Sequence, residues 1–210
     1  MRYLTQIITL IALVTVSCSH TKKPVSNSKD SVLLASGKSL TWIVDPKASL
    51  INWKGTKPTG SHEGTITIAE GFLSTENNLI TSGNFTIDMS TITETTNSDK
   101  PEGQAKLIAH LKSPDFFNID SFPTSTFSIT KIEGHKIYGN LLIKNITREV
   151  MFDAITKIED ATLTATSEFD INRTDWGVNY NSGKFIKDKI ANKVIRDRIN
   201  YRVKLVAYKK

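Results

Sequence analysis

From Leu40 onward the chain alternates apolar and polar residues with a period of two. Ser49, Ile51 and Trp53 alternate with Leu50, Asn52 and Lys54, and Ile66 and Ile68 flank Thr67. Phe85, Ile87 and Met89 alternate with Asn84, Thr86 and Asp88. The pairs Phe127/Ile129, Leu141/Ile143 and Val150/Phe152 continue the pattern, as do Leu163, Ala165, Phe169 and Ile171 on one parity. Tyr201, Val203, Leu205 and Ala207 close it against Arg202, Lys204 and Val206. Such alternation marks strands with one face in an apolar interior and the other in water. Brief turn signals separate them: Glu76-Asn77-Asn78, Glu133-Gly134-His135 and Glu159-Asp160. These connections are too short for helical crossovers, so the pairing is antiparallel.

One stretch departs from this period. Gln104 to Leu111 sets Ala105, Leu107, Ile108 and Leu111 at helical spacing, between Pro101 and Ser113-Pro114, which predicts a short helix. A second candidate, Lys184 to Ile195, carries Phe185, Ile186, Ile190 and Val194 in a mixed pattern. About eight strands with so little helix make a sandwich or a barrel. Glycines at Gly60, Gly64, Gly71, Gly83 and Gly139 suit the kinks and bulges of a tightly curved sheet. A closed barrel also removes exposed edges, and one of about eight strands is wide enough for one small ligand. The expectation is an all-β fold: an antiparallel barrel of about eight strands with one or two short helices.

The first residues read differently. Leu4 to Val16 are mostly apolar, Arg2 precedes them, and Ser17 stands before Cys18, the only cysteine of the 210-residue chain. This is the layout of a secretory signal peptide. Its end resembles the lipobox of bacterial lipoproteins, in which the cysteine is acylated, although Thr15 stands where that motif prefers Leu. The expected organisation is a signal peptide over 1–17, a lipidated N-terminus and tether over 18–38, and a barrel domain over 39–210. Ser19 to Lys38 is rich in Ser, Lys and Asn; such a stretch spans roughly 65 Å extended and about 25 Å as a coil. With Cys18 acylated, no thiol remains for a disulfide, a nucleophile or a metal ligand. The net charge is +6. Much of it falls late, at Lys184, Lys187, Lys189, Lys193, Arg196, Arg198, Arg202, Lys204, Lys209 and Lys210. That excess suits either a solvated basic face or an anionic neighbour such as a phospholipid surface. Nucleic acid is a poor partner for an exported chain.

Several motifs together resemble the YceI-like family of bacterial exported proteins. They are Trp42-Ile-Val-Asp45-Pro46 with Ser49-Leu-Ile51-Asn-Trp53, Gly60-Ser-His62-Glu-Gly64, and His110-Leu-Lys-Ser113-Pro-Asp115-Phe116-Phe117 with Pro123-Thr-Ser-Thr-Phe127. Gly139-Asn-Leu141-Leu-Ile143-Lys-Asn-Ile-Thr147 and Ile171-Asn-Arg173-Thr-Asp-Trp176 complete the series. They run in the family's order from about Leu40 to Tyr208. Asn145 stands where the family usually has Gly, and Tyr180 to Arg198 matches loosely. The resemblance implies a lipocalin-like barrel with an elongated apolar pocket that binds lipids and polyisoprenoids.

Candidate residues follow. The inward parity collects Trp53, Phe85, Ile87, Phe127, Ile129, Leu141, Ile143, Phe152 and Phe169, which are either plain core or the lining of a ligand cavity. Phe116 and Phe117 follow the predicted helix and gate or plug a barrel end; in an extended backbone at most one of them faces inward. Arg173 stands where a strand ends, placed to grip an anionic head group or to fasten a loop. His62 and His110 are the histidines to weigh for catalysis, while His20 and His135 fall in the tether and a turn. No His pair has metal-ligand spacing, and no nucleophile elbow or phosphate loop occurs in the sequence. Glu168 and Asp170 share the outward parity. The expected function is therefore non-enzymatic binding of a long isoprenoid or related lipid, with no cofactor other than such a lipid or a quinone as ligand. The expected site is the cell envelope, facing the periplasm or cell surface, with the membrane engaged through the lipid anchor and the basic C-terminal half. The alternatives are a solid-core interaction module and a small-molecule enzyme using His62 or His110.

Overall fold

The computed structural model describes residues 39–97, 99–185 and 193–210. The signal peptide, Cys18 and the tether lie outside the described residues, as do Lys187 and Lys189. The alternating segments become nine strands: β1 (Ser39–Val44), β2 (Leu50–Lys57), β3 (Gly60–Glu76), β4 (Leu79–Asp88), β5 (Thr124–Glu133), β6 (Lys136–Ile143), β7 (Ile146–Glu159), β8 (Thr162–Asn172) and β9 (Arg198–Lys209). All neighbours are antiparallel, and the sheet closes because β3 pairs with β4 as well as with β2.

Nine strands give a barrel of eight staves, because β1 and β2 share one position between β3 and β9. Ile51 to Lys57 face the first part of β3, whereas Ser39 to Ile43 face its last part. On the other side, Leu50 to Lys54 face the start of β9 and Trp42 to Val44 its end. The jog between them is held locally. Asp45 Oδ1 accepts the amides of Lys47 at 2.8 Å and Ala48 at 3.2 Å. Ser49 Oγ accepts the Val206 amide at 2.9 Å and donates to the Val206 carbonyl at 3.2 Å. The Ser49 hydroxyl thus supplies an acceptor for the Val206 amide at the jog, while the Val206 carbonyl also takes the Asp45 amide at 2.8 Å, which keeps buried backbone groups paired.

The hairpins carry the residues their geometry demands. Asn77 and Asn78 have φ of 51° and 63°, and Lys144 and Asn145 have 49° and 61°, the left-handed pair of a tight two-residue turn. Gly64 has a packing reason. A Cβ there would lie 1.9 Å from the Thr93 carbonyl oxygen, because the loop after β4 runs against β3, with Thr93 donating to Thr65 O at 2.9 Å and Thr95 to Glu63 O at 2.8 Å.

The helix α1 covers Pro101–Lys112, starting three residues before the predicted Gln104. Proline is tolerated in a first turn, where its missing amide would have had no partner. It ends at Ser113, extended before Pro114. Met89–Thr91 and Arg173–Trp176 are short 3-10 turns. The second helical candidate is corrected at its described ends: Lys184 and Phe185 lie in turns, Lys193 in a 3-10 turn, and Ser182 bridges Ile195; residues 186–192 lie outside the described residues. Helix α1, both 3-10 turns and residues 178–185 gather at one end of the barrel. At the other end lie the hairpins at Asn77, Gly134 and Asp160.

The core is divided. Trp42, Leu73, Leu163, Leu205 and Ala207 pack together toward the hairpin end. Trp53, Ile66, Met89, Leu111, Phe116 and Val178 pack at the helix end, and Ile143, Ile171 and Trp176 form a third group. Ile51 packs against the first two groups, and Phe117 and Tyr201 against the last two, so the groups are joined along the wall.

Candidate functional site

The middle of the barrel is a chamber of about 1120 Å³ of space between the atoms, its open end included. Phe85, Ile87, Phe127, Ile129, Leu141, Ile143, Phe152 and Phe169 all line it, together with Ile51, Ile68, Val150, Val203 and Leu205. The lining carries no charged side chain; its polar members are Ser125, Thr166, Ser167 and Tyr201. Phe127, Leu141, Phe152, Phe169 and Tyr201 keep accessible surface although they point at the axis. In a close-packed core such residues would have none.

Aromatic rings run around this wall. Phe85 and Phe127 stand 6.2 Å apart, Phe127 and Phe152 5.4 Å, Phe152 and Phe169 4.4 Å, and Phe169 and Tyr201 5.9 Å. The rings come from β4, β5, β7, β8 and β9. On β6 the corresponding position is Gly139, where a Cβ would lie 2.3 Å from the Phe127 ring. The glycine lets the ring lie flat across its strand.

A second, outer chamber of about 1110 Å³ opens at the helix end. Its wall includes Trp53, Lys57, His62, His110, Phe116, Arg173, Tyr180 and Lys193. The two chambers share Ile66, Phe117 and Tyr201. Trp53 has the inward parity, yet it belongs to the outer chamber rather than the inner one. It stands near the helix end of β2, and its indole N–H donates to the Thr93 carbonyl at 3.1 Å. Phe116 and Phe117 both face inward, because the backbone is not extended here. The chain there is a turn, not a strand: Phe116 N donates to Ser113 O at 3.1 Å and Phe117 N to Leu111 O at 3.1 Å. Phe116 packs on His110 at 5.0 Å and on Tyr180 at 5.3 Å.

Arg173 is engaged otherwise than as a head-group clamp. Its Nε donates to Arg196 O at 3.2 Å, Nη1 to Val178 O at 2.7 Å and Nη2 to Ile195 O at 3.1 Å. Asp197 Oδ1 lies 3.5 Å from Nη2. Burial pulls the guanidinium below its ordinary value and Asp197 opposes this, so it stays charged while fastening the loop after β8. The head-group expectation gives way to the fastening role, because the donors already point at backbone carbonyls.

The two histidines are each tied to a carboxylate. His62 Nδ1 lies 3.4 Å from Oε1 of the buried Glu94, which also accepts the Asn97 amide. His110 Nε2 lies 3.1 Å from Asp115 Oδ2. Neither ring has a serine, threonine or cysteine partner, and no group of three or more metal-ligating side chains occurs, among the described residues. Glu168 and Asp170 are exposed on the outer face. Tyr201 is the residue that the candidate set lacked. Burial pushes its phenol well above the ordinary value, so it is neutral and able to donate. Its signal was the clean alternation of Tyr201, Val203 and Leu205.

The family model of the YceI-like domain matches residues 42–207, nearly the whole described barrel. The chain belongs to the YceI-like family. The UPF0312 protein SA2479 of Staphylococcus aureus (strain N315) is 35% identical over 83 residues, covering 34% of this chain and 46% of that protein. The chain thus matches about half the length of that curated relative. Two solved structures share the YceI-like fold. BcnA of Burkholderia cenocepacia has a TM-score of 0.56 at 20% identity, with 78% of this chain and 99% of that one covered. A polyisoprenoid binding domain from Saccharophagus degradans, implicated in plant cell wall breakdown, has a TM-score of 0.55 at 12% identity, with 81% and 99% covered. At these identities the likeness is one of fold.

Proposed function

We propose that this protein binds a long isoprenoid or related lipid, without covalent chemistry, inside its barrel. It stores, transfers or shields that lipid at the bacterial cell envelope, held to the membrane through an acylated Cys18 and its basic C-terminal half. The observation that carries the reading is the inner chamber, whose wall is aromatic and aliphatic and whose inward residues keep accessible surface. Burying a methylene is worth about 0.8 kcal/mol, so one isoprene unit offers about 4 kcal/mol of gross driving force; ordering the tail offsets part of it. Membership of the YceI-like family and the fold shared with a polyisoprenoid binding domain support the same ligand class. A packed module would have its side chains meeting across the axis.

The test is to purify the untagged protein from native membranes, extract it, and identify the extract by mass spectrometry. A stoichiometric isoprenoid is the expected result. An empty extract, with no thermal shift on adding isoprenoid quinones or isoprenyl phosphates, refutes the proposal.

A further inference from the structure

The two chambers meet at Ile66, Phe117 and Tyr201, and of these three only Tyr201 carries a polar atom. Its ring is fixed from both sides. Tyr201 pairs with Trp53 across β2 and with Phe169 across β8, and it stacks on Phe169 with an interplanar angle of 25°. Its hydroxyl makes no hydrogen bond within the described residues. Its oxygen is not one of the buried side-chain atoms left without a partner, which are Ser125 Oγ and Asp197 Oδ1 among the described residues, so it has access to open space. Tyr201 also keeps accessible surface within an enclosed barrel, and that surface faces the chambers. Ser167 also brings a hydroxyl to the inner wall, opposite Val203 on β9, but it lines the inner chamber alone and not the junction. Ser125 Oγ is also unpartnered, but it is packed away from any water-sized space.

A chain-shaped ligand in the inner chamber must pass this phenol on its way to the outer one. Resting on the lipid-binding reading above, we infer that Tyr201 sets the depth of the ligand. Its O–H donates to an oxygen bonded directly to the hydrocarbon chain, so the polar group sits at the junction, inside the protein, with the tail beyond it. The ligand class is then narrower than an isoprenoid: it is an isoprenoid with oxygen at one end, as alcohol, ester or carbonyl, rather than a pure hydrocarbon.

The test uses delipidated full-length protein, the Tyr201→Phe variant and two probes, geranylgeraniol (an isoprenoid alcohol) and squalene (an isoprenoid without oxygen). Both compete against a fluorescent apolar dye. Loss of the hydroxyl should weaken geranylgeraniol roughly 3- to 10-fold and leave squalene unchanged. Phe169→Leu, which alters packing only, should weaken both alike. If Tyr201→Phe changes neither probe, or both equally, the depth-setting role is overturned while the lipid-binding reading stands. If the wild type binds neither probe, both fall together.

Discussion

Filling the inner chamber from its own wall is the sharpest probe of whether the space is real. Ala154 on β7 lines the chamber beside Ser167 on β8. In Ala154→Phe the new ring enters the chamber that Ala154 lines. Burying a phenylalanine is worth about 1.5–3 kcal/mol, less about 1 kcal/mol of rotamer freedom. The net expectation for ligand-free protein runs from no change to about 2 kcal/mol of added stability. In a filled barrel the same substitution overpacks, at a cost of about 1–3 kcal/mol. For a domain of this size a kcal/mol moves Tm by about 2–4 °C. The two cases are therefore opposite in sign. The assay is thermal unfolding of delipidated protein, followed by titration with geranylgeraniol. The expected outcome is a Tm that holds or rises while lipid capacity is lost, because the ring occupies the lipid's place. A Tm lower by several degrees, with lipid uptake intact, would refute the reasoning. Delipidation matters, since ligand carried through purification stabilises the wild type by mass action and would masquerade as a loss in the variant.

Other predictions follow from single sites. Arg173→Met leaves three backbone carbonyls without their buried donor and should cost about 3–5 kcal/mol in urea unfolding. Arg173→Lys should recover only part, since one ammonium cannot reach all three; a wild-type midpoint in either variant would show that the loop is held by something else. Tyr201 keeps its proton to higher pH folded than unfolded, so its contribution is constant below about pH 10 and is lost above it by up to about 1.4 kcal/mol per pH unit. Tyr201→Phe should flatten that alkaline decline; identical slopes for variant and wild type would contradict the burial of the phenol. The Lys54 hydrogen bond holds the Glu63 carboxyl below its usual range, so the pair stabilises at neutral pH and fades as pH falls through about 4. With both side chains about two-fifths exposed, Lys54→Met should cost under about 1 kcal/mol, and only above that pH. Gly64→Ala should destabilise by about 2 kcal/mol or more, because the Thr93 carbonyl must move; an unchanged Tm would mean that the loop after β4 yields freely.

The barrel was legible because each strand declares its buried face. The parity shared by Phe85, Ile87, Phe127, Leu141, Phe152 and Phe169 is local information, and a residue of the pleat cannot change sides without a bulge. Asn77-Asn78 and Gly134 likewise announce turns by their tolerance of positive φ. What stayed hidden depends on partners remote in sequence. Arg173 reads equally as an anion clamp or a loop fastener until the carbonyls of Val178, Ile195 and Arg196 are seen converging on it. Trp53 keeps the inward parity, but parity carries no height, so its place in the outer chamber was invisible. Whether Phe116 and Phe117 share a side depends on the backbone between them, and the turn that Pro114 and the helix end make there is set by tertiary packing. The nine-strand count for eight staves was also beyond reach, since the jog at Asp45 to Ser49 looks like an ordinary loop.

A hollow interior has an energetic consequence that the rest of the molecule must meet. Rings that face open space forgo the dispersion contacts a packed core would give them, so the middle of this barrel contributes less than its aromatic content suggests. The compensation lies in the backbone and at the ends. Every strand has a neighbour on each side, although β4–β5 and β7–β8 pair over only part of their length, and at the jog the Ser49 hydroxyl takes the Val206 amide. Trp42 and Leu163, both wholly buried, seal the hairpin end, with the Trp42 indole donating to Thr75 Oγ1 at 2.9 Å. Arg173 and α1 organise the other. Stability and capacity are thus assigned to different residues. Substitutions in the wall, at Phe152 or Phe169, should change lipid affinity more than folding. Those at Ser49, Trp42 or Arg173 should change folding first, and an inversion of that order would mean that the wall, not the ends, holds the barrel together.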